Sequence, residues 1–237
     1  MTGIICAMDL EARMLLNEMR DTTSERISGI DFVCGTLYGC EAVVAVCGVG
    51  KVFAAVCTQT MILRFAPDVI INTGVAGSLT GSLNCCDIAV ATSVVQHDVD
   101  TTALGDPRAL VSGINKINFE CDKKMLSELE SLRDTAEKAL GIKCVGGVIV
   151  SGDRFISSAS EKEFLHRWFG GIACDMESGA VGHTCYINGV PFIAVRSVSD
   201  SADGSSPMDY ARFSQAAADN TAKLLKIYFE YERGKQK

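Results

Sequence analysis

The chain has 237 residues, 48 % of them hydrophobic and 22 % charged, which supplies one buried core and lies far from the polar composition of a disordered chain. A formal net charge of −7 and a pI of about 5.0 give no attraction to nucleic acid or to an anionic membrane surface. The expected partner is therefore a small molecule, with no nucleic acid and no membrane.

From the N-terminus, Ile4–Cys6 reads as a buried strand, and Leu10–Met19 as a helix with Met14, Leu15 and Met19 apolar. Phe32–Leu37 and Ala42–Val46 follow as strands about a turn near Gly39. Lys51–Phe65 reads as a helix closed by Pro67, because the residue before a proline disfavours α backbone. Val69–Asn72 is a β-branched run suited to burial on both faces. Asp87–Thr92 is a strand, and Gln96–Phe119 has no period. Irregular segments of that length in compact domains are functional or lie at an interface. Asp122–Leu140 is helical in pattern, with Gly141 as its C-cap, and Val145–Val150 is a strand. Glu161–Phe169, Ser178–Ile187 and Phe213–Glu232 read as helices, and Phe192–Ser197 as a strand. Alternation of this kind, without a linker or repeat, predicts one α/β domain over residues 1–237.

Eleven cysteines lie scattered without a CxxC pair, and His97, His166 and His183 are far apart, so no metal site is expected. The apolar pattern starts at Gly3 with no leader-like segment before it, and no run of about 18 apolar residues suggests a membrane span. Thiols in apolar runs fit a reducing compartment, and the cytoplasm is the expected location.

Polar clusters recur at the ends of the predicted strands. Met8-Asp9-Leu10-Glu11 follows the first, where Glu11 is either a buried base or a solvated residue of the helix start. Gly48-Val49-Gly50-Lys51 lacks the Ser or Thr of a phosphate loop, and Phe53 breaks the dinucleotide fingerprint, which leaves a tight turn. Asn72-Thr73-Gly74-Val75-Ala76-Gly77 would let a ligand approach the backbone or simply turn the chain. In Ser151-Gly152-Asp153-Arg154-Phe155-Ile156, Phe155 either stacks on a flat ligand or belongs to the core. In Cys174-Asp175-Met176-Glu177-Ser178, Asp175 suits a helix start, and Glu177 has the two acceptor oxygens that a vicinal diol needs. Val195-Arg196-Ser197-Val198-Ser199-Asp200 ends a strong strand in polar residues. Together these clusters point to a single crevice.

In order, the stretches GIICAMDLEA, GVGKVFAA, PDVIINTGVAGSL, HDVDTTALGDP, SGDRFI, CDMESGAVGHTC and VPFIAVRSVSDSAD resemble the 5′-methylthioadenosine/S-adenosylhomocysteine nucleosidases of the nucleoside phosphorylase superfamily. The resemblance spans nearly the whole chain. It implies a single-domain α/β/α sandwich around a mixed central sheet, a homodimer, and no metal or organic cofactor. The Gln96–Phe119 segment would lie near the partner's site. The implied reaction is hydrolysis of the N-glycosidic bond of an adenine thionucleoside. Glu11 would activate the attacking water with Arg196 nearby, and Glu177 would bind the ribose hydroxyls beside Met176. Asp200, oriented by Ser199, would protonate adenine at N7, a task that asks for a buried carboxyl. Phe155 would stack on the purine and Ile156 would bond its edge through the backbone. Met8, Val49 and Tyr210 would line the 5′-alkylthio pocket, with Val75 also in the substrate set.

This chain departs from the pattern at Arg154, a cation within the purine-reading motif, and at Leu104 and Asp106, where many relatives carry aromatic residues. Two alternatives stand beside hydrolysis. A phosphate-dependent purine nucleoside phosphorylase would need an anion clamp, and the Asn72–Gly77 loop has no arginine. A non-catalytic nucleoside-binding or storage protein would be expected to lose Glu11, Glu177 or Asp200, and all three are present.

Overall fold

A computed structural model describes residues 1–235. Residues 236 and 237, the end of the domain expected over 1–237, lie outside the described residues. The elements run β1 (Thr2–Cys6), α1 (Asp9–Glu18), β2 (Met19–Ile27), β3 (Ile30–Leu37), β4 (Cys40–Val46), α2 (Lys51–Phe65), β5 (Val69–Ser78) and β6 (Ile88–Gln96). They continue with β7 (Asn118–Glu120), α3 (Lys123–Ser131), α4 (Arg133–Leu140), β8 (Cys144–Ser151) and α5 (Ala159–Phe169). The chain ends with β9 (Gly171–Asp175), α6 (Ser178–Asn188), β10 (Phe192–Asp200) and α7 (Ser206–Lys235).

The strands form one mixed sheet in the order β10-β6-β8-β9-β5-β1-β4-β3-β2, with β7 on β6. A further pairing of β10 with β5 closes the first five into a circuit, so part of the expected layer curls on itself. Every residue of β10 is buried, and β5 is buried after Val69. This is why both open on continuous apolar runs, Val69–Ile71 and Phe192–Val195, rather than alternating ones. Ile4, Ile5, Phe32, Ile70, Ile71 and Phe229 belong to the main core. Each such side chain contributes about 1.5–3 kcal/mol by leaving water.

One feature of β5 makes the site. Along one edge it pairs with β10 from Ile70 to Gly77. Along the other, Val69–Asn72 pairs with β1 and Gly77–Ser78 with β9. Between Asn72 and Gly77 the two neighbours part, and a crevice opens at the strand ends, where α/β sheets hold ligands.

The elements differ from the sequence reading in a few places. β2 was not expected; its residues MRDTTSERI are mostly exposed and pair only with β3, so no apolar period marks them. β9 is five residues long and lies beyond Gly170, the left-handed C-cap of α5. The helix expected over Asp122–Leu140 divides at Leu132 into α3 and α4. α7 begins at Ser206 rather than Phe213, with Pro207 in its first turn, where its missing N–H costs nothing. Among the described residues no helix is long and apolar enough to cross a membrane. All eleven cysteines are free thiols.

Candidate active site

The chain leaves β1 extended at Met8 and enters α1, which turns Glu11 back over the strand end. Its Oε2 accepts the N–H groups of Ala7 at 2.8 Å and Met8 at 3.0 Å, and its Oε1 accepts that of Val75 at 2.9 Å. The side chain of a first-turn acid is thus folded onto backbone donors, as in a capping box. Burial pushes the Glu11 carboxyl above its ordinary range, while the Arg196 guanidinium and the three N–H groups pull it back.

Arg196 is fully buried on β10. Its Nε donates to Asp175 Oδ2 at 2.7 Å, and its Nη2 donates to Asn72 Oδ1 at 2.6 Å and to Glu177 Oε2 at 3.4 Å. A buried cation is tolerable only with such pairing. Desolvation lowers the pKa of the guanidinium, and the carboxylates of Asp175, Glu177 and Glu11 more than offset this. Nη1 is buried without a hydrogen-bond partner among the described residues. It faces Glu11 across Gly74. A methyl group built on Gly74 would sit 2.2 Å from Glu11 Oε1 and 2.5 Å from Arg196 Nη1.

Glu177 follows β9 and is buried. Its Oε1 accepts the N–H of Gly50 at 2.9 Å. Burial raises its pKa to about 7; Arg196 opposes the rise and the Asp175 carboxylate adds to it. Asp175 also accepts from the Ser151 hydroxyl and, at 3.0 Å, from that of Ser178. At the end of β10, Ser199 Oγ donates to Asp200 Oδ2 at 2.9 Å, and the Ala202 N–H donates to Asp200 Oδ1 at 2.9 Å. Asp200 is 2 % exposed.

These groups open into one cavity of about 450 Å³. Met8, Glu11, Val49, Val75, Phe155, Ile156, Met176, Glu177, Ser199, Asp200 and Tyr210 all line it. Arg196 does not; it lies behind the carboxylates that do. The aromatic end carries Phe155, 47 % exposed, with its ring edge-on to Tyr210 at 5.8 Å. The Tyr210 hydroxyl donates to Met8 Sδ at 3.1 Å. Gly48–Lys51 is the tight strand-to-helix turn predicted, with positive φ at Gly48 and Gly50. Leu104 is 83 % exposed on a 3₁₀ turn. Asp106 is occupied within its own loop by the hydroxyls of Thr101 and Ser112.

Sequence reasoning missed two members of the site. Asp175 is the helix-start acid expected, accepting the Ser178 N–H at 3.3 Å, and it also holds Arg196. Its place two residues before Glu177 was the available signal, because two acids so close at one strand end can share a single cation. Asn72 had no such signal, since its contact with Arg196 depends on the β5–β10 register.

The chain with this curled mixed sheet and strand-end cavity belongs to the phosphorylase superfamily, whose family model matches residues 2–230. Within it, the chain belongs to the 5′-methylthioadenosine/S-adenosylhomocysteine nucleosidases. The nucleosidase of Shewanella baltica (strain OS185) is 35 % identical over 237 residues, covering 96 % of this chain and 95 % of the relative. The crystal structure of the Neisseria meningitidis nucleosidase in complex with methylthio-immucillin-A superposes with a TM-score of 0.92 at 33 % identity, covering 97 % and 98 % of the two chains. The native futalosine hydrolase of Helicobacter pylori strain 26695 superposes with a TM-score of 0.88 at 34 % identity, covering 98 % and 97 %.

Proposed function

We propose that this chain, acting as one domain, hydrolyses the N-glycosidic bond of 5′-methylthioadenosine and S-adenosylhomocysteine, releasing adenine and the 5-thio-substituted ribose. The observation that carries this reading is that three buried carboxyls in three different surroundings, Glu11, Glu177 and Asp200, open into one cavity.

Each carboxyl has a task its surroundings suit. Glu11 is fixed by three backbone donors and shifted towards neutrality, which favours a general base for water; Arg196 Nη1 lies across Gly74 as a donor to the same point. Glu177 offers its carboxylate to the ribose diol beside Met176. Asp200, oriented by Ser199, gives a proton to N7 of adenine as the bond breaks, because adenine leaves poorly as an anion. Phe155 stacks on the purine, Ile156 bonds its edge through the backbone, and Met8, Val49, Val75 and Tyr210 close around the sugar and the 5′ group. Placing water and ribose together adds orientation to acid–base help.

Phosphorolysis is disfavoured by the cations. Of the described residues lining the cavity, the one cation is Arg154, exposed and paired with Glu161 at 2.7 Å. Arg196 commits two of its three nitrogens to Asp175, Asn72 and Glu177. A phosphate clamp needs uncommitted donors.

The protein acts as a cytoplasmic homodimer in this reading. Free thiols throughout fit a reducing compartment. Val52, Phe53, Val56 and Leu63 of α2 and Tyr186 and Ile187 of α6 are exposed apolar side chains on packed neighbouring helices, the composition of a contact surface. Leu104 would then reach the partner's 5′ pocket. Sedimentation at micromolar concentration tests the dimer.

A panel of 5′-substituted adenosines, adenosine itself and futalosine, assayed by release of free base, tests the substrate assignment. Preference for the 5′-alkylthio compounds is expected. Exclusive turnover of futalosine would replace the assignment.

A further inference from the structure

Lys51 has no place in the reaction outlined above, yet it joins both sides of the cavity. Its Nζ donates to Asp98 Oδ1 at 2.6 Å in a half-sheltered ion pair, with the two side chains 18 % and 25 % exposed. Its backbone N–H donates to Asp153 Oδ1 at 2.8 Å, and the Asp153 N–H donates to Asp98 Oδ2 at 3.0 Å. Three segments meet in this ring: the start of α2, the exit from β6 and the loop after β8.

Those segments carry opposite walls of the site. The N–H of Gly50, one residue before Lys51, holds Glu177, and Val49 lines the cavity. Arg154, Phe155 and Ile156, next to Asp153, line it from the base side. Gly50 has a φ of +102°, and a methyl group on it would lie 3.1 Å from Asp153 Oδ1. The Asp153 carboxylate thus lies beside the Gly50 turn and is bonded to its next residue, Lys51.

We infer that Lys51, Asp98 and Asp153 are positioning residues that clasp the Gly50 turn to the Phe155 loop, fixing the ribose-side carboxylate and the base-side ring at one separation. The inference rests on the proposed hydrolysis, because separation matters only if one ligand spans both walls. The ring works through a chain of bonds. Asp98 binds Lys51 Nζ and the Asp153 N–H with different oxygens, and Asp153 returns to the Lys51 N–H. Loss of the charge at position 51 or of the acceptor at 153 opens it. Gly50 then keeps its bond to Glu177 and the Ala54 N–H on its carbonyl but loses the neighbouring tie to Asp153, and the Glu177 carboxylate has a less firmly fixed donor.

The test compares K51M, D153A and D153N with wild type in adenine release from 5′-methylthioadenosine, measured across pH 5–9, with circular dichroism to verify folding. Misplacement of about 1 Å costs on the order of 100-fold, so kcat/KM should fall about 10- to 100-fold in K51M and D153A. The acid limb of the profile should move up by about one pH unit, because a hydrogen bond to a charged group stabilises its ionised form by that order. D153N keeps an acceptor oxygen and should recover most of the activity. R26Q, which removes an exposed ion pair to Asp31, serves as the control. Retention of kcat/KM within about twofold in folded D153A overturns the clasp, as does a loss with an unshifted limb that D153N fails to rescue. If K51M does not fold, D153A, altered at an exposed position, decides alone. No adenine release from wild type overturns the hydrolysis and the clasp with it; release by wild type together with unaltered variants overturns the clasp alone.

Discussion

Gly74→Ala is the sharpest single perturbation of the site. The added methyl would meet Glu11 Oε1 at 2.2 Å and Arg196 Nη1 at 2.5 Å, so each must retreat by about 1 Å to reach ordinary contact. Neither is free to do so. Glu11 is tied to three backbone N–H groups, and Arg196 is tied to Asp175 and Asn72. The backbone at Gly74, with φ +156°, adds its own cost for an L side chain. Overpacking of this kind destabilises by about 1–3 kcal/mol, which lowers Tm by about 2–12 °C in a domain of this size. Displacing the water-activating carboxylate by about 1 Å costs on the order of 100-fold in rate. Adenine release and thermal melting, run on the same preparation, should show both effects, with the activity loss persisting well below the melting transition. An alanine variant within about threefold of wild type in kcat/KM would refute the picture of Glu11 and Arg196 converging on Gly74.

Replacing Asp200 with Asn should lower kcat by about 10²–10⁴-fold while adenine still binds; activity retained with a flat profile from pH 5 to 8 would remove Asp200 as the acid. Phe155→Ala should weaken nucleoside binding by about 5- to 150-fold, the value of a base–aromatic stack. Its Tm should change little, since the ring is half exposed in the free protein; an unchanged KM would place the purine elsewhere. Glu177 has both oxygens free to accept the two hydroxyls of a diol when it is ionised, and burial raises its pKa to about 7, so the acid limb of kcat/KM should climb through that pH. Its effect on stability has the opposite sign. The fold penalises its charged form, so its contribution is fully present below 4.5 and declines as pH rises through about 7. Glu177→Gln should abolish both dependences, and Tm and rate profiles across pH 4–9 would detect either one surviving.

Much of this was legible in the sequence because the residues concerned obey local rules. β5 and β10 open on apolar runs, Val69–Ile71 and Phe192–Val195, and eleven of the twelve expected site residues line one cavity, ten of them at or shortly beyond a strand end and Tyr210 on α7. Arg196 is the exception, and physically so. A charged residue is expected near solvent, and only the meeting of Asp175, Glu177 and Asn72 around it explains a fully buried guanidinium. That meeting depends on β5 pairing with β10 on one edge and parting from β1 on the other, which no local pattern encodes. β2 was missed for a related reason: a solvated edge strand needs pairing partners, not an apolar face. The break at Leu132 left the helical period intact on both sides.

The most direct measurement is release of adenine from 5′-methylthioadenosine in phosphate-free buffer and again with added phosphate, with the sugar product identified. Hydrolysis requires release at the same rate in both, with free 5-methylthioribose as the product. Release that requires phosphate and yields the sugar 1-phosphate, or no release at all, would contradict it.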